Sequence, residues 1–183
     1  MLHLVRHGRV VEHLLDGSEN PGLSAMGRLQ AQAVSAVLEA DYLASSPLQR
    51  AIETAEPISI AHDLDVMTVP AVGEVVPPHL DGEDRRAFLQ VFMTGAWADQ
   101  PDELRAWRDG VLEAMRDLDA RGGHVVVVSH YVAINVAAGA AMGDDRTTVF
   151  HPDNTSVNDF TLGSDGRLEV VALNQVTHLA ELQ

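Results

Sequence analysis

The sequence predicts an α/β fold, a three-layer α/β/α sandwich around a mostly parallel central sheet. Short apolar runs alternate along the chain with stretches of helical periodicity, as they do where crossover helices join parallel strands. The run VVVV at 125–128 is continuously β-branched, which suits a central strand covered on both faces. Two further strand-like runs flank GSDG at 163–166, which predicts a C-terminal hairpin with a glycine-containing turn.

The first strand and helix follow from local patterns. LHLV at 2–5 predicts a short buried strand whose carboxyl end delivers Arg6 and His7. Ser24 then precedes a predicted crossover helix, and the apolar residues that recur there at helical spacing are Met26, Leu29, Ala33 and Val37.

A second strand and helix come next. YLAS at 42–45 predicts the strand, and the helix begins with Ser46 as its cap and Pro47 as its first residue. LDVMTV at 64–69 predicts a third strand, which ends before Pro70.

Residues 84–119 predict two helices separated by GAWADQP. Each helix has one apolar face, formed first by Phe88, Leu89, Phe92 and Met93 and then by Leu104, Trp107, Val111, Met115 and Leu118. We interpret the pair as a helical insertion over the sheet edge that we expect to hold the active site. The strand that follows, at 125–128, ends in Ser129-His130 and leads into another helix.

Composition limits the class of protein. With 183 residues, 46% of them hydrophobic, the chain suits one domain over residues 1–183. Twenty-seven acids oppose twelve arginines, so the formal charge of −15 argues against a nucleic acid or an anionic membrane as partner. The absence of cysteine excludes disulfides, thiolate nucleophiles and cysteine-based metal sites. With no recognisable secretory signal and no apolar run long enough for a bilayer, we expect a cytoplasmic protein.

Polar residues follow three of the predicted strands. In open α/β sheets, ligands bind beyond the carboxyl ends of the strands. At that edge the sequence places Arg6-His7, then Ser45-Ser46 with Arg50 one turn further on, and finally Ser129-His130. We expect these segments to converge on one pocket.

Two of these residues have a second interpretation. Arg50 could pair with Glu53 on the surface of its helix. A cation in the first turn of a helix opposes the helix macrodipole, however, whereas an anionic ligand there is favoured by both charges. His130 could be a core histidine bonded to backbone, although its place at a strand-to-helix junction also suits a binding site.

Five segments together resemble a known family. LVRHG, LSAMGRLQA, SSPLQRAIETA, VPAVGE and VVVSH resemble, in order, spacing and context, those of the histidine phosphatase superfamily, phosphoglycerate-mutase-like branch. They run from residue 4 to about residue 130, with a weaker echo in NTSV at 154–157. The resemblance implies a phosphohistidine mechanism. In it, the nucleophile is His7, the phosphate is surrounded by Arg6, Arg50 and His130, and the leaving group receives a proton from Glu74.

The chemistry of these side chains fits the implied roles. Guanidinium groups bind phosphate oxygens in bidentate fashion and compensate their charge. His7 must attack as neutral imidazole, and we expect its other nitrogen to donate to a backbone carbonyl. Glu74 can donate a proton only if its pKa is raised, for which apolar surroundings are available in Val72, Val75 and Val76. Water then attacks the phosphohistidine, with Glu74 as base, and neither a metal nor an organic cofactor is required.

Two other acidic residues in the same loop region could be the proton donor. Glu83 and Asp84 are alternatives to Glu74, although both also suit a solvated helix start. The agreement of VPAVGE with the family pattern favours Glu74.

Three positions depart from the family pattern. Val10 and His13 stand where many members have serine or threonine and asparagine, and Tyr131 stands where glycine is common. His13 either contacts phosphate or is a surface histidine. These departures affect the expected identity of the substrate, and whether the site turns over at all, more than the expected type of chemistry.

A metal site is an unfavourable alternative. On a strand, His3 and His7 point to the same face, and His13 and Asp16 follow nearby. The two strand histidines lie roughly 13 Å apart, however, which is too far for one ion.

The leading functional prediction is a phosphomonoesterase acting on a small phosphorylated metabolite. A mutase-type phosphotransferase is an alternative that the modest chain length disfavours. A phosphoprotein phosphatase and a non-catalytic phospho-ligand-binding domain are further alternatives, and a homodimer is left open.

Overall fold

The computed structural model describes residues 1–11, 20–76 and 82–182, excluding the side chains of 82–86. Its strands are β1 Leu2–Arg6, β2 Tyr42–Ser45, β3 Val66–Thr68, β4 Val125–Ser129, β5 Val157–Leu162 and β6 Leu168–Gln175. Its α-helices are α1 Ala25–Ser35, α2 Gln49–His62, α3 Gly82–Phe92, α4 Asp102–Asp119 and α5 Tyr131–Met142, and short 3-10 turns lie at Pro70–Val72, Trp97–Asp99 and Thr177–Leu182. No helix within this described part is long and apolar enough to cross a membrane.

The strands form one six-stranded sheet in the order β3-β2-β4-β1-β5-β6. The first four strands in this order are parallel, with Leu4 of β1 opposite Val127 of β4. The C-terminal hairpin adds β5 and β6 antiparallel. The predicted α/β class, the mostly parallel sheet and the hairpin are confirmed.

The two faces of the sheet carry separate cores. Val125 and Val127 of β4 pack with α4 and α5 on one face. Val126 and Val128 pack with α1 and α2 on the other. Because alternate side chains of a strand point to opposite faces, a central strand needs apolar residues at every position.

Helix α1 forms where predicted, but its buried face differs from the prediction. Ser24 caps the helix by accepting from the Gly27 N–H at 3.1 Å. The predicted face is largely exposed, since Met26, Leu29 and Val37 are 37%, 47% and 57% exposed. The buried face is instead formed by Gly27, Ala31 and Val34. Small residues face inward because this helix approaches the backbone that follows β1 very closely at Gly27.

Helix α2 begins at Gln49, so the predicted start at Ser46 and Pro47 was wrong. The backbone is still extended at Leu48, and the Leu48 N–H donates to the Ser46 hydroxyl at 3.1 Å. This shift frees Ser46 from the helix and leaves Arg50 as the second residue of α2.

Helices α3 and α4 confirm the two predicted apolar faces. Phe92 of α3 is buried and makes an edge contact with Trp97, whose ring stacks with that of Trp107. Helix α4 buries Val111 and Met115 in the same core as α5 and β1. It is therefore an integral part of one helical layer of the sandwich.

Candidate active site

His7 lies just beyond the carboxyl end of β1 and is held from three sides. Its backbone N–H donates to the Ser129 carbonyl of β4 at 3.1 Å, and its carbonyl accepts from the Asn154 amide at 2.9 Å. The side chain is buried, and Nδ1 lies 2.8 Å from the Gly8 carbonyl. Because a carbonyl can only accept, Nδ1 carries the proton and Nε2 is the unprotonated nitrogen. The predicted backbone partner of this ring is present.

Gly8 lets the chain turn inside a crowded backbone. A Cβ at this position would lie 2.6 Å from the Gly27 carbonyl oxygen of α1, so a larger residue would force the two segments apart. The Gly8 N–H donates to the Thr54 hydroxyl at 3.0 Å, and that hydroxyl donates to the Arg50 carbonyl at 2.7 Å. Thr54 thus ties the first turns of α2 to the segment that carries His7.

Arg50 contacts the unprotonated nitrogen of His7. Its Nε donates to His7 Nε2 at 3.2 Å. The alternative surface pair with Glu53 is absent from the described structure. That carboxylate instead accepts from the Leu23 N–H and the Gln49 amide, each at 2.7 Å, and pairs with Arg28 at 3.4 Å. The guanidinium in the first turn of α2 therefore faces the imidazole.

Arg6 is fixed on the other side of the site. Its Nη1 donates to the Pro152 carbonyl at 2.8 Å, and its guanidinium carbon lies 5.3 Å from the centre of the Tyr131 ring. The Tyr131 hydroxyl is hydrogen-bonded to Nδ1 of His151. Arg6 Nε is buried without a partner among the described residues.

His130 is fully buried next to His7. The two ring centres are 5.2 Å apart. His130 Nε2 lies 2.7 Å from the Ser46 hydroxyl, and Nδ1 has no partner in the described part of the chain. The interpretation of His130 as a core histidine bonded to backbone does not match these side-chain contacts.

Glu74 sits on the 70–76 loop against the start of α5. Its Oε1 accepts from the backbone N–H groups of Val75 at 3.0 Å and Val132 at 3.2 Å. Burial raises the pKa of Glu74 to about 7, against the opposing effect of those two hydrogen bonds and of the nearby guanidinium groups. Of the expected apolar neighbours, Val72 and Val75 are buried, whereas Val76 is 75% exposed and was wrongly included.

Burial also shifts the bases of the site. It lowers the pKa of His7 to about 3, and the charges of Arg50 and Arg6 act in the same direction. The pKa of His130 is likewise lowered well below its ordinary value, chiefly by burial. Near neutral pH the site therefore combines two guanidinium groups, two neutral imidazoles and one carboxyl group able to exchange a proton.

His13 and Asp16 fall outside the described residues, as do the side chains of Glu83 and Asp84. Val10 forms an isolated bridge with Leu23.

His3, considered earlier as a metal ligand, lies at the start of β1. Its Nδ1 is 2.6 Å from Asp159 and its Nε2 is 3.0 Å from Nδ1 of His124. No group of three or more histidine and acidic side chains in the described ranges is arranged to hold a metal ion.

Several supporting residues were missed by the sequence analysis. Thr54 lies inside the quoted motif SSPLQRAIETA, and Asn154 opens the NTSV echo, so both could have been found from the resemblance. The contacts of Pro152 and His151 with the site carry no such signal, because one acts through its backbone carbonyl and the other through Tyr131.

The geometry gathers two guanidinium groups, two imidazoles and one carboxyl group at the edge of an α/β sheet, and comparisons with known proteins give the family. The profile of the histidine phosphatase superfamily (branch 1) matches residues 2–176. The uncharacterised protein Rv0525 of Mycobacterium tuberculosis is 37% identical over 153 residues, covering 73% of this chain and 74% of that protein. The chain belongs to the histidine phosphatase superfamily, as its motifs predicted.

Solved structures show the same fold. Bacillus stearothermophilus YhfR matches with a TM-score of 0.81 at 21% identity, covering 97% of this chain and 98% of that one. The phosphoserine phosphatase of Entamoeba histolytica in complex with 3-phosphoglyceric acid matches with a TM-score of 0.79 at 24% identity, over 97% and 98%. The mycobacterial glucosyl-3-phosphoglycerate phosphatase Rv2419c in complex with VO3 matches with a TM-score of 0.77 at 21% identity, over 96% and 98%.

Proposed function

We propose that this protein is a phosphomonoesterase that hydrolyses a small phosphorylated metabolite through a phosphohistidine on His7, without a metal or an organic cofactor. The observation that carries the proposal is the state of the His7 ring. Its Nδ1 is held at the Gly8 carbonyl, and its Nε2 lone pair faces the guanidinium of Arg50 at 3.2 Å. A neutral, oriented imidazole beside a cation is what attack on an anionic phosphoryl group requires.

In the first step, Arg50 Nε shifts its hydrogen bond from His7 Nε2 to a phosphoryl oxygen. The released Nε2 lone pair then forms a bond to phosphorus while the ester P–O bond breaks. Arg6 and Arg50 bind the phosphoryl oxygens and compensate the charge that the phosphoryl group carries in the transition state. Glu74, protonated below a pKa of about 7, gives its proton to the departing alcohol oxygen. The products of this step are a free alcohol, a phosphorylated His7 and a Glu74 carboxylate.

In the second step, a water oxygen attacks phosphorus and the N–P bond breaks. Glu74 takes a proton from the attacking water and returns to its starting state. The electron pair of the broken bond returns to Nε2, and inorganic phosphate leaves. One carboxyl group with a pKa near the working pH serves both steps, since it is protonated in one and ionised in the other.

The class of substrate follows from the site and from the relatives. The guanidinium groups of Arg6 and Arg50 bind the phosphate through their charge. The net negative charge of the chain disfavours polyanionic partners such as nucleic acids. The structural relatives include a phosphoserine phosphatase and a glucosyl-3-phosphoglycerate phosphatase. Small phosphorylated hydroxy acids and sugar phosphates are therefore the first compounds to assay.

The decisive experiment combines turnover with trapping. We expect the protein to hydrolyse a chromogenic aryl phosphate in EDTA and, after a rapid quench, to carry acid-labile phosphate. The His7→Ala variant should show neither. Phosphate binding without turnover would contradict the proposed enzyme and indicate a binding domain. Activity that is lost in EDTA but restored by a divalent ion would overturn the metal-free mechanism.

A further inference from the structure

The second histidine of the site has a partner whose role is not covered by the proposed mechanism. We propose that Ser46 is a positioning residue that places the proton of neutral His130 on Nδ1, so that His130 donates to the phosphoryl group without being protonated first. This inference rests on the proposed function, because a phosphoryl oxygen is the acceptor it assigns.

The hydrogen bonds around Ser46 carry the argument. Its hydroxyl oxygen accepts from the Leu48 N–H at 3.1 Å and lies 2.7 Å from His130 Nε2. Ser46 and His130 are both fully buried. A serine hydroxyl has one proton to donate, and its oxygen has two lone pairs, one of which Leu48 uses.

Two arrangements of the proton are conceivable, and they differ in what they leave unpaired. If Ser46 donates to Nε2, its hydroxyl proton is used and the imidazole proton lies on Nδ1. If Nε2 donates to Ser46, the hydroxyl proton finds no other acceptor among the described residues, and Nδ1 becomes a buried bare acceptor. The first arrangement leaves fewer polar groups unpaired, and each unpaired buried group destabilises the protein.

The first arrangement also matches the ligand. A phosphoryl oxygen only accepts hydrogen bonds, so an Nδ1–H attracts it whereas a bare Nδ1 repels it. His130 lies 5.2 Å from His7 between centres and is buried near two guanidinium groups, where a third positive charge is disfavoured. The Nδ1–H of neutral His130 avoids this cost, because it binds the phosphoryl oxygen without adding a positive charge.

Nuclear magnetic resonance of the resting protein tests the assignment directly. With ring nitrogens labelled by nitrogen-15, and the His130→Asn variant identifying the signals, we expect His130 to show a protonated Nδ1 and an unprotonated Nε2 at pH 7. A protonated Nε2 would overturn the proposal. This measurement needs neither turnover nor a Ser46 variant.

Binding of inorganic phosphate tests the consequence. Ser46→Ala should weaken binding by about three- to tenfold, the value of one neutral hydrogen bond, and should mix the two His130 tautomers. Ser46→Thr keeps the hydroxyl and should bind phosphate like the wild type. Ser45→Ala is the matched control, since this neighbouring buried hydroxyl donates to the Ser46 carbonyl at 3.0 Å, whereas the His130 ring is hydrogen-bonded to the Ser46 hydroxyl.

The outcomes separate this inference from the proposed function. Equal phosphate affinity in Ser46→Ala and Ser45→Ala would overturn the role of Ser46. A wild-type protein with Nδ1 protonated and with phosphate bound at His130, but without phosphohistidine, would instead overturn the proposed hydrolase and leave Ser46 as a positioning residue.

Discussion

The pKa of Glu74 shows how the surroundings change the acid–base chemistry of one side chain. Burial disfavours its ionised form, whereas two backbone donors and two guanidinium groups favour it, and burial is the larger effect. The result is a pKa of about 7, which suits the acid and base roles proposed for this residue.

The leaving group gives the first residue-level prediction. Glu74→Gln should lower turnover of an alkyl phosphate such as glycerol phosphate by roughly 10²- to 10⁴-fold, because the alkoxide needs a proton as it departs. Turnover of nitrophenyl phosphate should fall far less, since nitrophenolate leaves unaided. Steady-state kinetics on both substrates measure this difference, with the exposed Glu113→Gln on α4 as control. Equal losses on both substrates would remove Glu74 as the acid.

Tyr131 gives the second residue-level prediction. Its ring covers the Arg6 guanidinium, so Tyr131→Ala should lower kcat/KM for an aryl phosphate by about 2- to 30-fold, the range of a cation–π contact. Tyr131→Phe keeps the ring and loses the bond to His151, and should behave nearly as wild type. Losses of the same size in both variants would assign the effect to the hydroxyl group instead.

Among the helices, α1 and α4 each contain a glycine, one in a crowded position and the other in an open one. A methyl group added at Gly27 of α1 would overlap the Arg9 carbonyl oxygen, so this glycine permits a close approach of backbones. A methyl group added at Gly110 of α4 meets nothing within 4 Å. The second glycine therefore only weakens its helix.

Two alanine variants test this contrast. Gly27→Ala should lower the free energy of unfolding by roughly 1–3 kcal/mol, because α1 must move away from the segment after β1. Gly110→Ala should raise it by about 0.5–1 kcal/mol through helix propensity alone. Urea unfolding at pH 7 measures both values. An unchanged free energy of unfolding in Gly27→Ala would show that stability does not depend on the close approach of α1 to the segment after β1.

For the whole molecule, the site makes stability depend on pH. The pKa of Glu74 is raised in the folded state from 4.5 to about 7, so its stabilising contribution is present below pH 4.5 and is lost as pH rises through 7. Relative to wild type, Glu74→Gln should therefore become more stable between pH 5 and pH 8, by up to roughly 3 kcal/mol. Unfolding in urea across this pH range tests the sign.

His7→Ala serves as the control of opposite sign. The pKa of His7 is lowered in the folded state from 6.5 to about 3, so its contribution is present above pH 6.5 and is lost as pH falls towards 3. Relative to wild type, His7→Ala should gain stability as the pH is lowered. The same slope in both variants would contradict the opposite shifts assigned to the two groups.

Local sequence patterns predicted the type and order of the elements and pointed to the candidate site residues. Apolar VVVV indicated a strand covered on both faces, and the quoted motifs brought Arg6, His7, Arg50 and His130 to one edge. Such features depend on residues close together in the chain, where periodicity and strand ends are directly readable.

The neighbours that these elements contact became known only from the packing of the folded chain. Met26 and Leu29 have the helical spacing of a core face, yet α1 buries Gly27 because the segment after β1 leaves no room for larger side chains. Ser46 was expected to cap a helix, but it lies against His130, which is 84 residues away in the sequence. Contacts of this kind depend on close packing between distant segments, which local patterns do not encode.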